Sequence, residues 1–339
     1  MSNIVETPKL TKKDFESDQD VRWCPGCGDY SILANVQRMM PELGIAPENV
    51  VWVSGIGCSS RFPYYMNTYG FHTIHGRAPA FAMGIRMANP DLSVWLVTGD
   101  GDGLSIGGNH LMHAVRRNLD IKVLLFNNRI YGLTKGQYSP TSELGKATKS
   151  TPTGVPDHPV DPASFAIGCS GSFVARCVDT DAKHMNEVLL RAAKHVGTAF
   201  VEIYQNCVVF NDAAFDAFTA KDKRDEHQLK VEHGKPLLFG AQKNKGLRID
   251  PRTLGLEVAT LGENGVTEKD ILIHDEMNST IAMMLARMPF PAFPVAVGVL
   301  YATSRPTYAR TVHAQIEAEK AKTKPDLQKL LSSGNTWTV

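Results

Sequence analysis

A strand–helix–strand unit between residues 94 and 137 constrains the fold of this chain more than any other stretch. An apolar run over 94–98 predicts a buried strand, which ends at the turn GDGDG at 99–103. A helical pattern begins at Ser105, and a second apolar run over 121–126 predicts the next strand. This order of elements indicates an α/β fold with a parallel twisted sheet flanked by helices.

Oxygen-bearing residues follow both strands of this unit. Asp100 comes directly after the first strand, and Asn128 is the second residue of an Asn-Asn pair after the second strand. Ligands bind beyond the carboxyl ends of such strands, so the two side chains should face one site. With a main-chain carbonyl such as that of Ile130, they suit Mg²⁺ shared with a phosphate. The helix from Ser105 should direct its N-terminus toward that phosphate.

The composition excludes several classes of protein. The chain has 339 residues, 43% of them apolar, and a net charge of +1, which indicates neither nucleic-acid binding nor a membrane surface. No apolar run is long enough to span a membrane, and the polar N-terminus lacks the apolar core of a signal peptide. We therefore expect a cytoplasmic protein whose six cysteines are reduced thiols or metal ligands.

The sequence divides into three segments. Residues 1–20 form a polar lead-in, and residues 21–210 carry the alternating strand and helix patterns. Residues 211–339 are more charged, with short strands and one amphipathic helix, which predicts an irregular C-terminal extension. A stretch rich in Ser, Thr, Gly and Pro over 139–162 predicts a long functional loop rather than a linker.

A Cys-x-x-Cys motif, Cys24 and Cys27, lies on a turn shaped by Pro and Gly. The motif is compatible with a redox dithiol, a zinc site or an iron–sulfur cluster. Zinc or a cluster needs two further ligands, for which Cys58 and Cys207 qualify. Because Cys58 follows a predicted strand, it should lie at the same sheet edge as Asp100, a position suited to an electron acceptor beside a cofactor.

The motifs together resemble a known family. The GDGDG turn, followed 28 positions after Asp100 by Asn128, resembles the motif that binds thiamine diphosphate and Mg²⁺. With WCPGCG, GIGCS and a later Asn-Cys pair, the chain resembles the β subunits of 2-oxoacid:ferredoxin oxidoreductases, particularly the 2-oxoglutarate type, over roughly residues 20 to 330. The resemblance implies a [4Fe-4S] cluster next to thiamine diphosphate, held by Cys24, Cys27, Cys58 and Cys207. Cys169 and Cys177 lack such a context and are interpreted as buried small residues.

The resemblance also implies which residues surround the cofactor. Asp100, Asn128 and the Ile130 carbonyl would hold Mg²⁺, and His75 would lie near the reactive end of thiamine diphosphate. The residues predicted to contact the cofactor are Ile56, Gly57, Cys58, His75, Gly76, Arg77, Gly99, Asp100, Gly101, Asp102, Asn128, Tyr131, Gly132, Leu133 and Thr134. A hydrogen-bonded structural role is the alternative for His75, and a surface or ion-pair role is the alternative for Arg77.

One basic residue is a candidate for substrate specificity. Arg61 follows Cys58 by three positions, on the loop expected beside the reactive centre. A guanidinium there would pair with the distal carboxylate of 2-oxoglutarate through two parallel hydrogen bonds. The alternative is an arginine that faces solvent.

A glutamate that hydrogen-bonds the aminopyrimidine of thiamine is expected in such enzymes, yet neither Glu48 nor Glu143 is well placed for it. The resemblance implies that an α subunit supplies it, so that the enzyme is an α/β heterodimer that pairs again and the isolated chain is inert. It implies 2-oxoglutarate, CoA and oxidised ferredoxin as substrates, with succinyl-CoA, CO₂ and reduced ferredoxin as products of a reversible reaction. The C-terminal extension would cover the cluster or contact the partner.

Three alternative functions stay open from the sequence. The substrate of such an oxidoreductase could be pyruvate or a broad range of 2-oxoacids. A non-redox thiamine diphosphate decarboxylase or carboligase would use the cysteines for a structural zinc. In a non-catalytic iron–sulfur electron carrier, the GDGDG turn would be ordinary turn chemistry. Iron and thiamine content distinguish the last two from the main interpretation.

Overall fold

The computed structural model describes residues 10–322 and 324–337. The first nine residues of the predicted lead-in lie outside these ranges. In the described ranges the strands are β1 (Val50–Ser54), β2 (Tyr69–His72), β3 (Ser93–Gly99), β4 (Lys122–Asn127), β5 (Phe173–Val178), β6 (Ala199–Tyr204), β7 (Gln228–Val231), β8 (Leu238–Phe239), β9 (Lys245–Ile249), β10 (Leu256–Thr260) and β11 (Val295–Ala302).

The larger sheet has the strand order β2-β1-β3-β4-β6-β5-β11-β7. The strands from β2 to β5 in this order run parallel to one another. Strand β11 is antiparallel to β5 and parallel to β7. The predicted α/β class with a largely parallel sheet is thus confirmed. A separate antiparallel sheet has the order β10-β9-β8.

Helices cover both faces of the larger sheet. The α-helices are α1 (Asp29–Met39), α2 (Ala78–Ala88), α3 (Asp100–Leu104), α4 (Gly108–Arg117), α5 (Pro162–Gly168), α6 (Ala182–Lys194), α7 (Asp216–Thr219), α8 (Arg224–His227), α9 (Ser279–Ala286), α10 (Tyr308–Lys322) and α11 (Leu327–Leu331). Short 3₁₀ helices cover Lys12–Phe15, Met40–Leu43, Pro47–Asn49, Ser59–Tyr65 and Glu268–Asp270. Helices α1 and α6 pack on one face, and α2, α4, α5 and α9 pack on the other.

The central strands are buried on both faces. Every residue of β1, β4, β5 and β6 is buried. This explains why the sequences of these strands are mostly apolar and do not alternate between apolar and polar residues. Alternate residues enter opposite cores: Val51 and Val53 pack with α2 and α4, whereas Trp52 packs with α1. The Trp52 ring stacks on that of Trp95 at 5.1 Å between centroids. The sheet is therefore a rigid support for the turns at its edge.

The helix predicted from Ser105 is present as α4, which begins at Gly108, but the short helix that precedes it was not predicted. This helix, α3, begins at Asp100, directly at the end of β3. Between α3 and α4 lies Gly107, where a Cβ atom would be 2.5 Å from the carbonyl oxygen of Asp102. This close approach of two backbone segments requires glycine and separates the two helices. The helix that begins at the strand end is therefore the short α3.

The segment after residue 210 joins the larger sheet. Strands β7 and β11 extend the sheet beyond β5, which the sequence did not indicate, and Val295–Leu300 of β11 are buried. In the described part of the predicted lead-in, Phe15 is buried and Glu16 forms a bridge with Met66. Among the described residues, no helix has the length and apolar character needed to cross a membrane.

Candidate functional site

Turns after three neighbouring parallel strands form the candidate site. They carry residues 56–58 after β1, 99–103 after β3 and 128–134 after β4. One cavity lies between them and is lined by Ile56, Gly57, Cys58, Ser59, His75, Gly99, Asp100, Gly101, Asp102, Phe126, Asn128, Ile130, Tyr131, Gly132, Leu133 and Thr134. Of the residues predicted to contact the cofactor, Gly76 and Arg77 lie outside this lining. The structure thus brings the strand-end residues together at one sheet edge.

Asp100 is buried at the base of this cavity. Its Oδ2 accepts hydrogen bonds from the hydroxyls of Ser139 at 2.5 Å and Thr141 at 2.6 Å. Burial raises the pKa of Asp100, and the two hydroxyl donors oppose this effect. A buried carboxylate stays ionised at neutral pH when a cation lies beside it. The carboxylate and its surroundings therefore fit a divalent cation.

Asn128 and Ile130 occupy the turn after β4. Arg129 between them has a φ of 55°, and this left-handed conformation turns the chain so that both neighbours line the cavity. Asn128 Nδ2 donates to Gln205 Oε1 at 2.9 Å, and Asn128 Oδ1 accepts from the Ile130 N–H at 3.2 Å. Gln205 Nε2 in turn lies 3.3 Å from Cys27 Sγ. We call this first cavity the oxygen-rich cavity, after the side chains of Asp100, Asp102 and Asn128 that line it. Gln205 thus connects the oxygen-rich cavity with Cys27.

Asp102 ties two of the turns to the sheet. Its Oδ1 accepts from the backbone N–H groups of Ile56 at 3.1 Å and Gly76 at 2.7 Å. Its Oδ2 accepts from the Thr98 hydroxyl at 2.7 Å. A Cβ atom on Gly55 would collide with this carboxylate, so glycine is required there. Although Asp102 lines the cavity, its oxygens are already used by the protein.

His75 lies at the mouth of the cavity and is 41% exposed at its side chain. Its Nδ1 is 2.7 Å from Asp102 Oδ1, although this contact lacks the alignment of a hydrogen bond. Gly76 follows with a φ of 69°, which turns the chain toward α2. Arg77 donates from Nη1 to the carbonyl of Ile106 at 3.4 Å. The geometry therefore places His75 at the cavity and Arg77 outside it.

Tyr131 closes one wall of the cavity. Its hydroxyl donates to the Gly101 carbonyl at 2.8 Å, and a Cβ atom on Gly101 would collide with its ring. Burial raises the pKa of the Tyr131 hydroxyl. Gly101 is thus needed for close packing as well as for backbone approach to a ligand.

Four cysteines line a second cavity of about 350 Å³. They are Cys24, Cys27, Cys58 and Cys207. The Sγ atoms of Cys58 and Cys207 each lie 3.6 Å from the position that a Cβ atom on Gly132 would take. Residues common to both cavities are Cys58, Asn128, Gly132 and Leu133. The two cavities are therefore neighbours that share a wall.

The surroundings of two of these thiols, Cys27 and Cys58, favour the neutral form. Burial, followed by the nearby carboxylate of Asp29, raises the pKa of Cys58 to about 12 and raises that of Cys27 further. Thiolates at these positions need a positive partner such as a metal centre. The remaining cysteines lie elsewhere. Cys177 is buried in β5 as predicted, whereas Cys169, which follows α5, is only partly buried, so the prediction of a buried residue was wrong there.

Arg61 lines two cavities. They are the four-cysteine cavity and a third cavity of about 490 Å³, and Arg22 lines both of them as well. Tyr64 and His72 line this third cavity as well, with ring centroids 5.4 Å apart. The third cavity meets the oxygen-rich one at Ile56, Gly57 and Leu133. Asp18 and Asp20 line the same cavity, and Asp20 lies 3.2 Å from Nη2 of Arg22. Arg61 is therefore the guanidinium that a negatively charged molecule would contact there.

Several polar residues of the site were not found from the sequence. Ser139 and Thr141 come from the long loop, and Glu202 lies in the middle of β6. Burial raises the pKa of Glu202, which the adjacent guanidinium of Arg176 opposes. A lone charged residue inside each apolar strand, Arg176 in FVARCV and Glu202 in AFVEIY, was the available signal.

The family described as "Thiamine pyrophosphate enzyme, C-terminal TPP binding domain" matches residues 49–203. This range runs from β1 into β6 and includes the oxygen-rich turns. Fold and site together thus define a thiamine pyrophosphate-binding domain.

Comparison with individual proteins shows to which family of thiamine pyrophosphate enzymes the chain belongs. The chain is 51% identical over 352 residues to 2-oxoglutarate oxidoreductase subunit KorB of Mycobacterium tuberculosis, covering 98% of this chain and 93% of that protein. It is 49% identical over 190 residues to 2-oxoacid:ferredoxin oxidoreductase 1, subunit beta, of Aeropyrum pernix, covering 56% of this chain and 60% of that one. A solved structure of 2-oxoglutarate:ferredoxin oxidoreductase from Magnetococcus marinus, with 2-oxoglutarate, coenzyme A and succinyl-CoA bound, matches with a TM-score of 0.77 and 34% identity over 97% of each chain. The chain belongs to the family of 2-oxoacid:ferredoxin oxidoreductase β subunits.

Proposed function

We propose that this chain is the β subunit of an enzyme that converts 2-oxoglutarate, CoA and oxidised ferredoxin to succinyl-CoA, CO₂ and reduced ferredoxin. The relatives named for 2-oxoglutarate support this choice of substrate. The observation that carries the proposal is the shared wall between the oxygen-rich cavity and the four-cysteine cavity. Such an arrangement suits a reaction in which electrons leave a bound organic cofactor for a metal cluster.

Asp100, Asn128 and the Ile130 carbonyl are proposed to hold Mg²⁺ and, through it, the diphosphate of thiamine diphosphate. When bound, thiamine diphosphate supplies the electron sink for decarboxylation of a 2-oxoacid. Buried Asp100 provides the negative charge, and the hydroxyls of Ser139 and Thr141 hold its carboxylate in place. Gly101 permits the close packing of Tyr131 at the cavity wall.

The four cysteines are proposed to bind a [4Fe-4S] cluster, which would supply a one-electron acceptor. Among the described residues, no three His, Cys, Asp or Glu side chains are grouped closely enough to hold a single metal ion. The cysteines instead surround a cavity of about 350 Å³. Because this cavity shares a wall with the oxygen-rich cavity, its position favours an electron-accepting cluster over the single structural zinc of a non-redox enzyme. A reducing compartment such as the cytoplasm would keep the cysteines available as ligands.

An α subunit is proposed to complete the site. The oxygen-rich cavity has a volume of about 80 Å³, whereas ligand sites typically enclose about 300–1,000 Å³. Of the described residues that line it, the carboxylates are Asp100 and Asp102, which are engaged as described above. The aminopyrimidine glutamate would therefore come from the partner. We place a further partner contact on the β8–β10 sheet, where Leu254 and Val258 are exposed.

Anaerobic purification with the α chain, followed by iron, sulfide, zinc and thiamine assay on one sample, tests the proposal. We expect about four irons and one thiamine diphosphate per α/β pair, and no activity from the β chain alone. Zinc and thiamine without iron would identify a non-redox thiamine enzyme. Iron without thiamine would identify an electron carrier.

Arg61→Ala is expected to raise the KM for 2-oxoglutarate by about 10- to 100-fold, because a charge-assisted pair contributes about 1.5–3 kcal/mol. The KM for pyruvate, which lacks the distal carboxylate, should change little. Arg61→Lys keeps the charge but loses the planar pair of donors, so an intermediate KM is expected. Steady-state assays of the assembled enzyme measure both substrates. Equal increases for the two would exclude Arg61 from substrate selection.

A further inference from the structure

A buried ion pair lies behind the oxygen-rich cavity. Glu202 is fully buried in β6, and its Oε2 is 2.8 Å from Nε of Arg176. Glu202 Oε1 accepts a hydrogen bond from Nδ2 of Asn127 at 2.7 Å. Buried ion pairs contribute little net stability compared with apolar residues, but in some proteins they select one arrangement of their neighbours.

Asn127 is held in one orientation by these contacts. Because its Nδ2 donates to Glu202, its Oδ1 faces the long loop, where it accepts from the Arg129 N–H at 3.2 Å and lies 2.9 Å from Thr141 Oγ1. Thr141 Oγ1 also lies 2.6 Å from Asp100 Oδ2. The hydroxyl has one proton, and donation to a charged carboxylate is the stronger bond. The Thr141 proton therefore goes to Asp100, and the bond that Asn127 Oδ1 keeps is the one from the Arg129 N–H.

The same ion pair also reaches the end of the long loop. Arg176 Nη2 is 2.8 Å from Asp161 Oδ2, and Asp161 Oδ1 caps α5 by accepting from the Ser164 N–H at 2.6 Å. Near the start of the loop, Arg129 Nη1 lies 2.6 Å from Glu143 Oε1. Since both ends of the loop are tied to charged groups, one loop conformation is selected over Asp100.

We propose that Glu202 is a positioning residue for the cation site, because it orients Asn127, whose Oδ1 accepts from the Arg129 N–H and so holds the turn that carries the proposed ligands Asn128 and Ile130. This inference rests on the proposed Mg²⁺–thiamine diphosphate site. It adds a residue that does not line the cavity and acts through the intervening side chain of Asn127.

Glu202→Gln tests the proposal in the assembled α/β enzyme. The new amide nitrogen replaces an acceptor that faces either Arg176 or Asn127, so one donor loses its partner and Asn127 can rotate. Mn²⁺ serves as the probe: EPR measures the free ion in the presence of thiamine diphosphate and without substrate. We expect the Kd of Mn²⁺ to rise by about 10- to 100-fold, the usual effect of removing a residue that supports a metal ligand.

Asp120→Asn is the matched control. Asp120 pairs with Lys122 at 2.9 Å and with Arg86 at 2.6 Å, a similarly charged network that precedes β4 and is therefore at the opposite end of that strand from Asn127. It should lower the thermal unfolding temperature while the Kd of Mn²⁺ stays within about twofold, because Asp120 does not support a cation ligand. Parent-like affinity in Glu202→Gln, or an equal loss in Asp120→Asn, would overturn the proposal.

Asn127 provides a second test if Glu202→Gln fails to assemble. Asn127→Ala removes both the donor to Glu202 and the acceptor for the Arg129 N–H, so it should weaken Mn²⁺ binding to the same extent. Parent-like binding in Asn127→Ala would overturn the positioning role alone. If the parent enzyme shows no Mn²⁺ binding that depends on thiamine diphosphate, the proposed function itself is wrong.

Discussion

Asp100→Asn is expected to abolish cation-dependent binding of thiamine diphosphate while the chain stays folded. Asparagine has nearly the same shape, but it removes the negative charge buried beside Ser139 and Thr141. Changes behind a metal ligand weaken binding by about 10- to 100-fold, so loss of the ligand charge should weaken Mg²⁺ binding by at least about 100-fold. Equilibrium dialysis of thiamine diphosphate at fixed Mg²⁺ measures the loss, and turnover of the assembled enzyme should fall with it.

Although Asp100→Asn should bind the cation more weakly, the cation-free variant should be at least as stable toward unfolding as the parent at alkaline pH. Burial raises the pKa of Asp100, so its carboxyl group stabilises the cation-free protein at low pH and this contribution is lost as pH rises through its folded pKa. Asparagine does not titrate, so the cation-free variant should lack this loss. Its thermal unfolding temperature at alkaline pH should equal or exceed that of the parent.

Asp102→Asn is the control for this prediction because Asp102 belongs to the same turn and has the opposite role. The Asp102 carboxylate accepts hydrogen bonds from the N–H groups of Ile56 and Gly76 and from the Thr98 hydroxyl. In asparagine one of the two oxygens becomes an NH₂ group, which would face one of these donors and could not accept its hydrogen bond. The free energy of unfolding should fall by about 1–3 kcal/mol. A destabilised Asp100→Asn that still binds Mg²⁺ would contradict the roles assigned to both residues.

Cys27→Ser is expected to prevent assembly of the iron–sulfur cluster. Serine does not provide the thiolate that such clusters require, so iron and sulfide should fall from about four each to near zero. Reduction of ferredoxin should be lost, whereas binding of thiamine diphosphate should persist because Cys27 does not line the oxygen-rich cavity. Iron and sulfide analysis, visible absorbance and thiamine content of the anaerobically purified α/β complex measure these effects.

Cys169→Ser provides the matched control. Cys169 is partly buried after α5 and lies outside the four-cysteine cavity, so the variant should retain iron, sulfide and ferredoxin reduction. Full iron content in Cys27→Ser, or its loss in Cys169→Ser, would show that the cluster has other ligands.

The sequence was sufficient for the elements whose pattern is local. Strands β3 and β4 were predicted from continuous apolar runs, because both of their faces are buried. Helix α3 was missed because GDGDG is typical of a turn, and its separation from α4 at Gly107 depends on how closely two backbone segments approach. The place of β7 and β11 in the larger sheet was also missed, because strand pairing depends on contacts between segments far apart in the chain.

For the candidate site, local sequence determined the position of each chemical group along the chain. A turn rich in Gly and Asp after one buried strand, an Asn-Asn pair after the next and a Cys-x-x-Cys motif are short patterns with recognisable chemistry. Parallel strands end at one edge of a sheet, so the meeting of Asp100 and Asn128 could be predicted without coordinates.

The tertiary structure decided which of these groups face a ligand and which hold the site together. Asp100 and Asp102 are equivalent in the sequence GDGDG, yet Asp102 is occupied by three protein donors, whereas Asp100 meets hydroxyls from a loop about 40 residues later. Glu202 supports the turn after β4 through Asn127. Such roles depend on the distances and directions of hydrogen bonds between distant segments, and no local pattern of residues contains them.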